Sequence, residues 1–312
     1  MATQQAQQAA HRAHPGREGD RGPDEGGARR RLLAGIPVTE HRLELAGIST
    51  AILEGGEGPP IVLLHGPGES AVNWRWVIPE LVMTHRVIAP DLPAHGSTEA
   101  PQDVLDADRV LAWLSELMER RCGSAPSLVG HVLGGAIGAR FAIETEARLE
   151  RLVLVDSLGL TRFRPSPRFA FGLGTFVAMP NERRYERFMR QCAYDLDSLR
   201  GRMGEEWESF AAYNLELARA PQAKVAGRLM RKVGIPRIPA EELGRITVPT
   251  TLIWGRHDRA NRPRVAEAAS ERYGWPLHVI ERSADDPPRD QPEAFLRALN
   301  LALGSTSTKD SG

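Results

Sequence analysis

The stretch Ser127-Leu128-Val129-Gly130-His131-Val132-Leu133-Gly134-Gly135-Ala136 decides how this chain folds. Its first three residues read as a buried strand, and the run from Gly134 through Ala139 reads as the start of a closely packed helix. Between them, the small residues Gly130 and Gly134 bracket a turn too tight for a Cβ at either position. This is the outline of a nucleophile elbow, a turn that lifts its central side chain to the mouth of a sheet. Here the central residue is Val132, where acyl-transfer chemistry needs Ser, Cys or Asp. Valine cannot attack a substrate, so the frame is kept while its chemistry is removed.

Working outward, short apolar runs recur on both sides of the elbow. Ile61–Leu64, Val87–Ala89, Leu128–Val129, Leu152–Val155, Thr251–Trp254 and Leu277–Ile280 read as buried strands. Their near-continuous hydrophobicity suits a mostly parallel sheet covered on both faces. Val110, Leu111, Leu114, Leu117 and Met118 recur at helical spacing and predict an amphipathic crossover helix. Strand and helix in alternation give the α/β class with right-handed crossovers.

The alternation stops after Val155. Residues 160–243 hold no convincing strand, many aromatics and arginines, and Pro165, Pro167, Pro180, Pro221, Pro236 and Pro239. They read as a helical lid inserted into a core formed by residues 32–159 and 244–304. Most of the lid aromatics, among them Phe169, Phe176, Tyr185, Trp207, Phe210 and Tyr213, are expected to build its own core, and the remainder an apolar roof. Residues 1–31 lack apolar periodicity and read as a disordered tail, as do residues 305–312.

Forty basic and 40 acidic residues give a formal net charge of +0, so no basic field points to nucleic acid. Cys122 and Cys192 are the only cysteines, too few for a disulfide framework or a zinc spacing, and both read as free structural thiols. No run approaches a membrane span and no apolar leader opens the chain, so a cytoplasmic location is expected.

Five landmarks occur in order: His65-Gly66-Pro67-Gly68, Asp91-Leu92-Pro93-Ala94-His95-Gly96-Ser97, the elbow, Trp254-Gly255-Arg256-His257-Asp258, and Asp290-Gln291-Pro292-Glu293. Over residues 41–303 the chain resembles α/β-hydrolase-fold proteins of the lid-bearing, epoxide-hydrolase and haloperoxidase-like kind. The resemblance implies an α/β-hydrolase core with a nucleophile at Val132, an acid at Asp258 and a histidine in the segment Ser283-Ala284-Asp285-Asp286-Pro287. Asp285 occupies that histidine's place, so the two groups that attack and carry the proton are both missing. The resemblance also implies oxyanion donors at the backbone of Leu133 and of residue 67, but Pro67 has no N–H.

The same alignment sets Asp258 and Asp285 where acid and histidine normally touch, which would make a carboxylate pair with one raised pKa, able to donate and accept protons. The plainer alternative pairs Asp285 with Arg256, Arg259 or Arg289. His65, Gly66, Glu69, His131 and Asp156 fall at strand ends where such a fold collects pocket residues, with His65, His95 and His131 read as structural and Glu69 as a pocket or loop-bracing group. Trp74 and Trp76 read as packing residues.

These residues favour a non-hydrolytic, cofactor-independent enzyme that moves protons on an apolar or aromatic small molecule, as in elimination, cyclisation, conjugate addition or C–C bond formation of the kind found in secondary metabolism. Two alternatives stay open: a ligand-binding pseudo-enzyme, and a residual hydrolase in which a carboxylate activates water, as in epoxide opening. No cofactor, metal, nucleic acid or membrane partner is expected; a homodimer is compatible with the sequence.

Overall fold

The computed structural model describes residues 27–99, 105–144 and 148–304. Eight strands form one sheet: β1 (Thr39–Leu45), β2 (Ile48–Gly55), β3 (Pro60–Leu64), β4 (Arg86–Pro90), β5 (Ser127–His131), β6 (Arg151–Val155), β7 (Thr250–Gly255) and β8 (Leu277–Ile280). Their order is β1-β2-β4-β3-β5-β6-β7-β8. β1 and β2 form an antiparallel hairpin, β2 pairs antiparallel with β4, and every other pairing is parallel. The hairpin turn is only Ala46-Gly47, both at positive φ, the geometry whose twist matches a right-handed strand pair.

β3, β5 and β7 are buried along their whole length because helices cover both faces. On one side lie the crossover helices Ala107–Arg121 and Leu133–Glu144, with Trp113, Leu114 and Ile137 at zero exposure; on the other, Trp74 and Phe295 close the layer. β8 departs from the expected buried strand. It is the sheet edge, and Leu277, His278 and Val279 are only half-buried.

Between β6 and β7 the chain makes helices Pro167–Ala178, Glu182–Cys192, Leu196–Met203, Glu206–Arg219 and Ala223–Leu229. Ser166, Asn181 and Asp195 start the first three by accepting backbone N–H bonds on their side chains. Phe169, Phe176, Tyr185, Met189 and Phe210 pack into a core that belongs to this insertion, while Phe171 stays 61% exposed.

The N-terminal expectation needs correction. Of the segment read as a tail, residues 27–31 belong to helix Gly27–Leu33, whereas residues 1–26, like 305–312, lie outside the described residues. Ala28 and Leu32 join the insertion's core, and buried Arg29 reaches Asp91 at 3.1 Å, Glu40 at 3.1 Å and the Tyr213 hydroxyl at 2.8 Å. Seven residues are too few to show apolar periodicity. The helix is held instead by one neutralised guanidinium and two small apolar contacts.

Candidate functional site

β5 ends at His131 and the next helix begins at Leu133, so Val132 alone makes the turn. Its φ of 47° lies in the left-handed region, which costs an L-residue about 1–2 kcal/mol and is rarer still for a β-branched side chain. Backbone bonds hold it there. The Val132 N–H donates to the Val155 carbonyl at 2.9 Å, the Val132 carbonyl accepts from Leu158 at 3.1 Å, and Gly134 donates to His65 at 3.2 Å. A Cβ on Gly134 would collide with the backbone of Leu64, which is why glycine follows the turn. The elbow is therefore intact around a half-buried hydrocarbon.

Across from it, the oxyanion region has been rebuilt. Pro67 offers no N–H, and the Gly66 N–H is taken by Glu69 Oε2 at 2.8 Å. The same Glu69 oxygen lies 3.4 Å from His131 Nδ1, while His131 Nε2 meets the Asp285 carbonyl at 2.7 Å. With an acceptor at each nitrogen, the ring is an imidazolium donating both ways. Burial alone would push it down, but the attraction and hydrogen bond of Glu69 outweigh burial and lift it to about 10. The pairing in turn overcomes the effect of burial on Glu69 and holds it at about 2. His131 is thus locked as a cation, is no general base, and braces Glu69 and the Asp285 loop together.

His65 and His95 hold loop backbone, as their turn motifs imply. His65 Nε2 accepts from the Leu92 N–H at 2.9 Å and its Nδ1 donates to the Gly66 carbonyl at 2.8 Å; His95 Nδ1 donates to the Pro93 carbonyl at 3.0 Å. Burial depresses both, His95 to about 4, so they stay neutral. Trp74 is buried edge-on to His131, and His257 is exposed beside Tyr194.

The carboxylates are arranged differently from the expected Asp258–Asp285 pair. Asp258 lies within the electrostatic reach of Asp156, which follows β6 in a left-handed conformation at φ 44°. Asp258 Oδ1 accepts from Ala260 at 2.7 Å and Asn261 at 2.8 Å, and Asp156 Oδ1 accepts from Gly255 at 3.0 Å. Neither Oδ2 meets a hydrogen-bond donor, so each carboxyl keeps one buried oxygen unpartnered. Desolvation raises both, and mutual repulsion adds to it for Asp156. Asp258 rises to about 7 against backbone bonds that pull it down, and Asp156 moves well above the usual range.

Asp285 feels the charge of Asp258, but its carboxylate faces Arg289, 3.6 Å away. Of the three arginines named above, Arg289 is the partner; Arg256 pairs with Glu281 and Glu267, and Arg259 donates to the carbonyls of Arg190, Gln191 and Ala193. Buried Arg289 also meets Asp286 at 3.0 Å and Asp290 at 3.4 Å, and donates to the Cys192 carbonyl at 3.0 Å. Its aspartates fall one, three and four residues before or after it, a helical-turn spacing visible in Asp285-Asp286-Pro287-Pro288-Arg289-Asp290. Burial, with Asp285 adding to it, pushes the Cys192 thiol well up, away from thiolate chemistry.

Sequence reasoning placed Asp156 at the site without seeing it as the partner of Asp258, and it missed Asn261. That residue donates its backbone N–H to Asp258 and its side chain to the carbonyls of Asp156 and Ser157. No motif marks either role, since β6 and β7 must first be laid side by side.

Comparison with known proteins bears on the fold and the family. A model of the alpha/beta hydrolase family matches residues 61–298. The chain is 35% identical over 272 residues to a 2-hydroxy-6-oxo-2,4-heptadienoate hydrolase of Pseudomonas putida, covering 85% of this chain and 96% of that one. It is 33% identical over 121 residues to a soluble epoxide hydrolase of a Corynebacterium species, covering 39% and 43%. The solved 2-hydroxy-6-oxo-6-phenylhexa-2,4-dienoate hydrolase from Rhodococcus sp. strain RHA1 superposes with a TM-score of 0.76 at 25% identity, over 86% of this chain and 99% of that one. These relatives are hydrolases, and none of them supports the non-hydrolytic chemistry expected from the sequence.

Proposed function

The chain belongs to the alpha/beta hydrolase family, and from that premise we propose that it adds water to an apolar small molecule without forming an acyl-enzyme, using Asp258 and Asp156 as base and acid. The observation that carries this reading is the pair of buried carboxyls, Asp156 one residue beyond β6 and Asp258 three residues beyond the adjacent β7, each with an Oδ2 that no donor meets. Two buried carboxyls, both raised above the usual carboxylate range but held by different numbers of backbone donors, are suited to opposite roles. Asp258, whose carboxylate is held by the N–H groups of Ala260 and Asn261, takes a proton from water. Asp156, held by the Gly255 N–H alone, gives its proton to the oxygen that leaves carbon.

An epoxide fits this division of labour. The water oxygen forms a bond to one epoxide carbon as its proton passes to Asp258; the C–O bond breaks and the epoxide oxygen takes the proton of Asp156. The product is a diol, and the proton now on Asp258 returns to Asp156, so the pair ends as it began. No tetrahedral oxyanion forms on this route. That suits a site in which Pro67 lacks a donor and Glu69 engages Gly66.

The test is turnover of a panel of apolar and aryl epoxides in water labelled with ¹⁸O. Single-turnover product is expected to carry the label, and enzyme protein recovered afterwards to carry none in Asp156, Asp258 or Asp285. Label transferred first to a carboxylate would point to a covalent ester and refute direct water attack. Proton transfer without incorporation of water would instead favour the elimination or cyclisation reading.

A further inference from the structure

A cleft of about 620 Å³ opens between the loop after β6, the segment that leads out of the helical insertion, and helix Arg264–Tyr273. Six arginines line it: Arg162, Arg164, Arg237, Arg262, Arg264 and Arg272. No Asp or Glu is among its lining residues. Among the described residues, none of the six lies within ion-pair distance of a carboxylate, whereas Arg190 and Arg256 each hold two acidic partners. In a chain of net charge +0, this is a local excess of six like charges around one concavity. Such charges repel one another, and an anion between them would relieve that repulsion.

We propose that this cleft binds a soluble small molecule carrying two or more phosphate groups. Guanidinium forks match phosphate oxygens in pairs, and three separate chain segments present them from different sides, which suits several phosphates better than a single carboxylate. The volume lies within the range of small-ligand sites. Leu160, Val265 and the ring of Tyr273 supply an apolar wall for the rest of the molecule. Asn261 also lines the cleft while its backbone holds Asp258, so an occupant would sit one residue from the carboxyl pair. The site requires no particular reading of that pair's chemistry.

Titration calorimetry of the full chain with inorganic pyrophosphate and tripolyphosphate tests the proposal. Tripolyphosphate is expected to bind more tightly than pyrophosphate, at one equivalent, and to weaken as ionic strength rises from about 0.1 M to 0.3 M. The triple variant Arg164→Ala, Arg264→Ala, Arg272→Ala should lose at least about tenfold in affinity. These side chains are exposed, so the variant should melt at the parent temperature. The control pair Arg183→Ala, Arg187→Ala removes exposed charge outside the cleft and should bind as the parent does. No heat at about 1 mM tripolyphosphate, or an equal loss in the control, would overturn the assignment. Cosedimentation with phosphatidylglycerol vesicles that tripolyphosphate fails to displace would also overturn it, because the arginines would then serve a lipid surface.

Discussion

Replacing Asp258 by asparagine should make the protein more stable in alkali and inactive at every pH. Asparagine has the same shape: its carbonyl oxygen can accept from Ala260 and Asn261 as Asp258 Oδ1 does, and its amide can donate to the bare Oδ2 of Asp156. What disappears is the cost of ionising a buried carboxyl. A group raised from 3.8 to about 7 on folding contributes stability that is fully present below 3.8 and is lost as pH rises through about 7. At about 1.4 kcal/mol per unit, the loss is complete at about 4 kcal/mol by pH 8 and is less than half of that at pH 5. Asp258→Asn should therefore melt higher than the parent by roughly 5–10 °C at pH 8, and by less than half of that at pH 5. Thermal melts across pH 5–8, with urea titrations at the two ends, measure this. A variant that is less stable at pH 8, or that gains equally at both ends, would show that Asp258 is an ordinary ionised carboxylate and would remove the physical basis of the pair.

Four further outcomes follow from the geometry. Val132→Gly should raise stability by roughly 0.5–1 kcal/mol in urea unfolding, since it relieves a left-handed valine and loses only part of that gain to glycine's chain entropy. Val132→Ser should place a hydroxyl on the elbow yet remain unlabelled by a fluorophosphonate probe, because no imidazole faces it and Pro67 lacks its N–H; robust labelling would mean that a base has been overlooked. Glu69→Gln should let burial win at His131, so that its ring loses its proton below pH 7 and the Asp258 transition moves above about 7; NMR titration of the imidazole and the pH–melting curve report the two halves. Arg289→Met should cost about 3–5 kcal/mol in urea unfolding by leaving Asp286 and Asp290 buried without a cation, and no more than about 1 kcal/mol if the cluster is well hydrated.

The sheet was legible in the sequence because its central strands are buried on both faces. Ile61–Leu64, Leu152–Val155 and Thr251–Trp254 therefore appear as near-continuous apolar runs, a signal local to each strand. β1 was not, for the opposite reason: in Thr39–Leu45 only Leu45 is buried, and the hairpin is fixed by a two-residue turn rather than by hydrophobicity. Val132, Pro67 and Asp258 could be placed because each sits at a fixed offset from a turn motif. The partners of those residues could not. Asp156 meets Asp258 across the β6–β7 pairing, and Glu69 meets His131 across the β3–β5 pairing, so each contact joins residues far apart in the chain that no spacing connects. Arg29 is the extreme case, a buried cation in a segment whose composition reads as disordered.

The two acid–base systems of the site are coupled through one ring. Imidazolium His131 is the nearby cation that lowers both Asp156 and Asp258, partly offsetting their burial. Its charge is favoured first by Glu69, 3.4 Å away, with Asp286 and Asp156 adding to it, and Glu69 is itself held by the Gly66 N–H. The Glu69 carboxylate thus has an effect at a distance: it supports a cation that adds to the backbone bonds of Asn261 and Ala260 in opposing the burial of Asp258. The cost of desolvating Glu69 and His131 is offset within the ion pair, which also ties the Gly66 turn to the Asp285 loop, so the same contact that steadies the two loops sets the field in which Asp156 and Asp258 titrate.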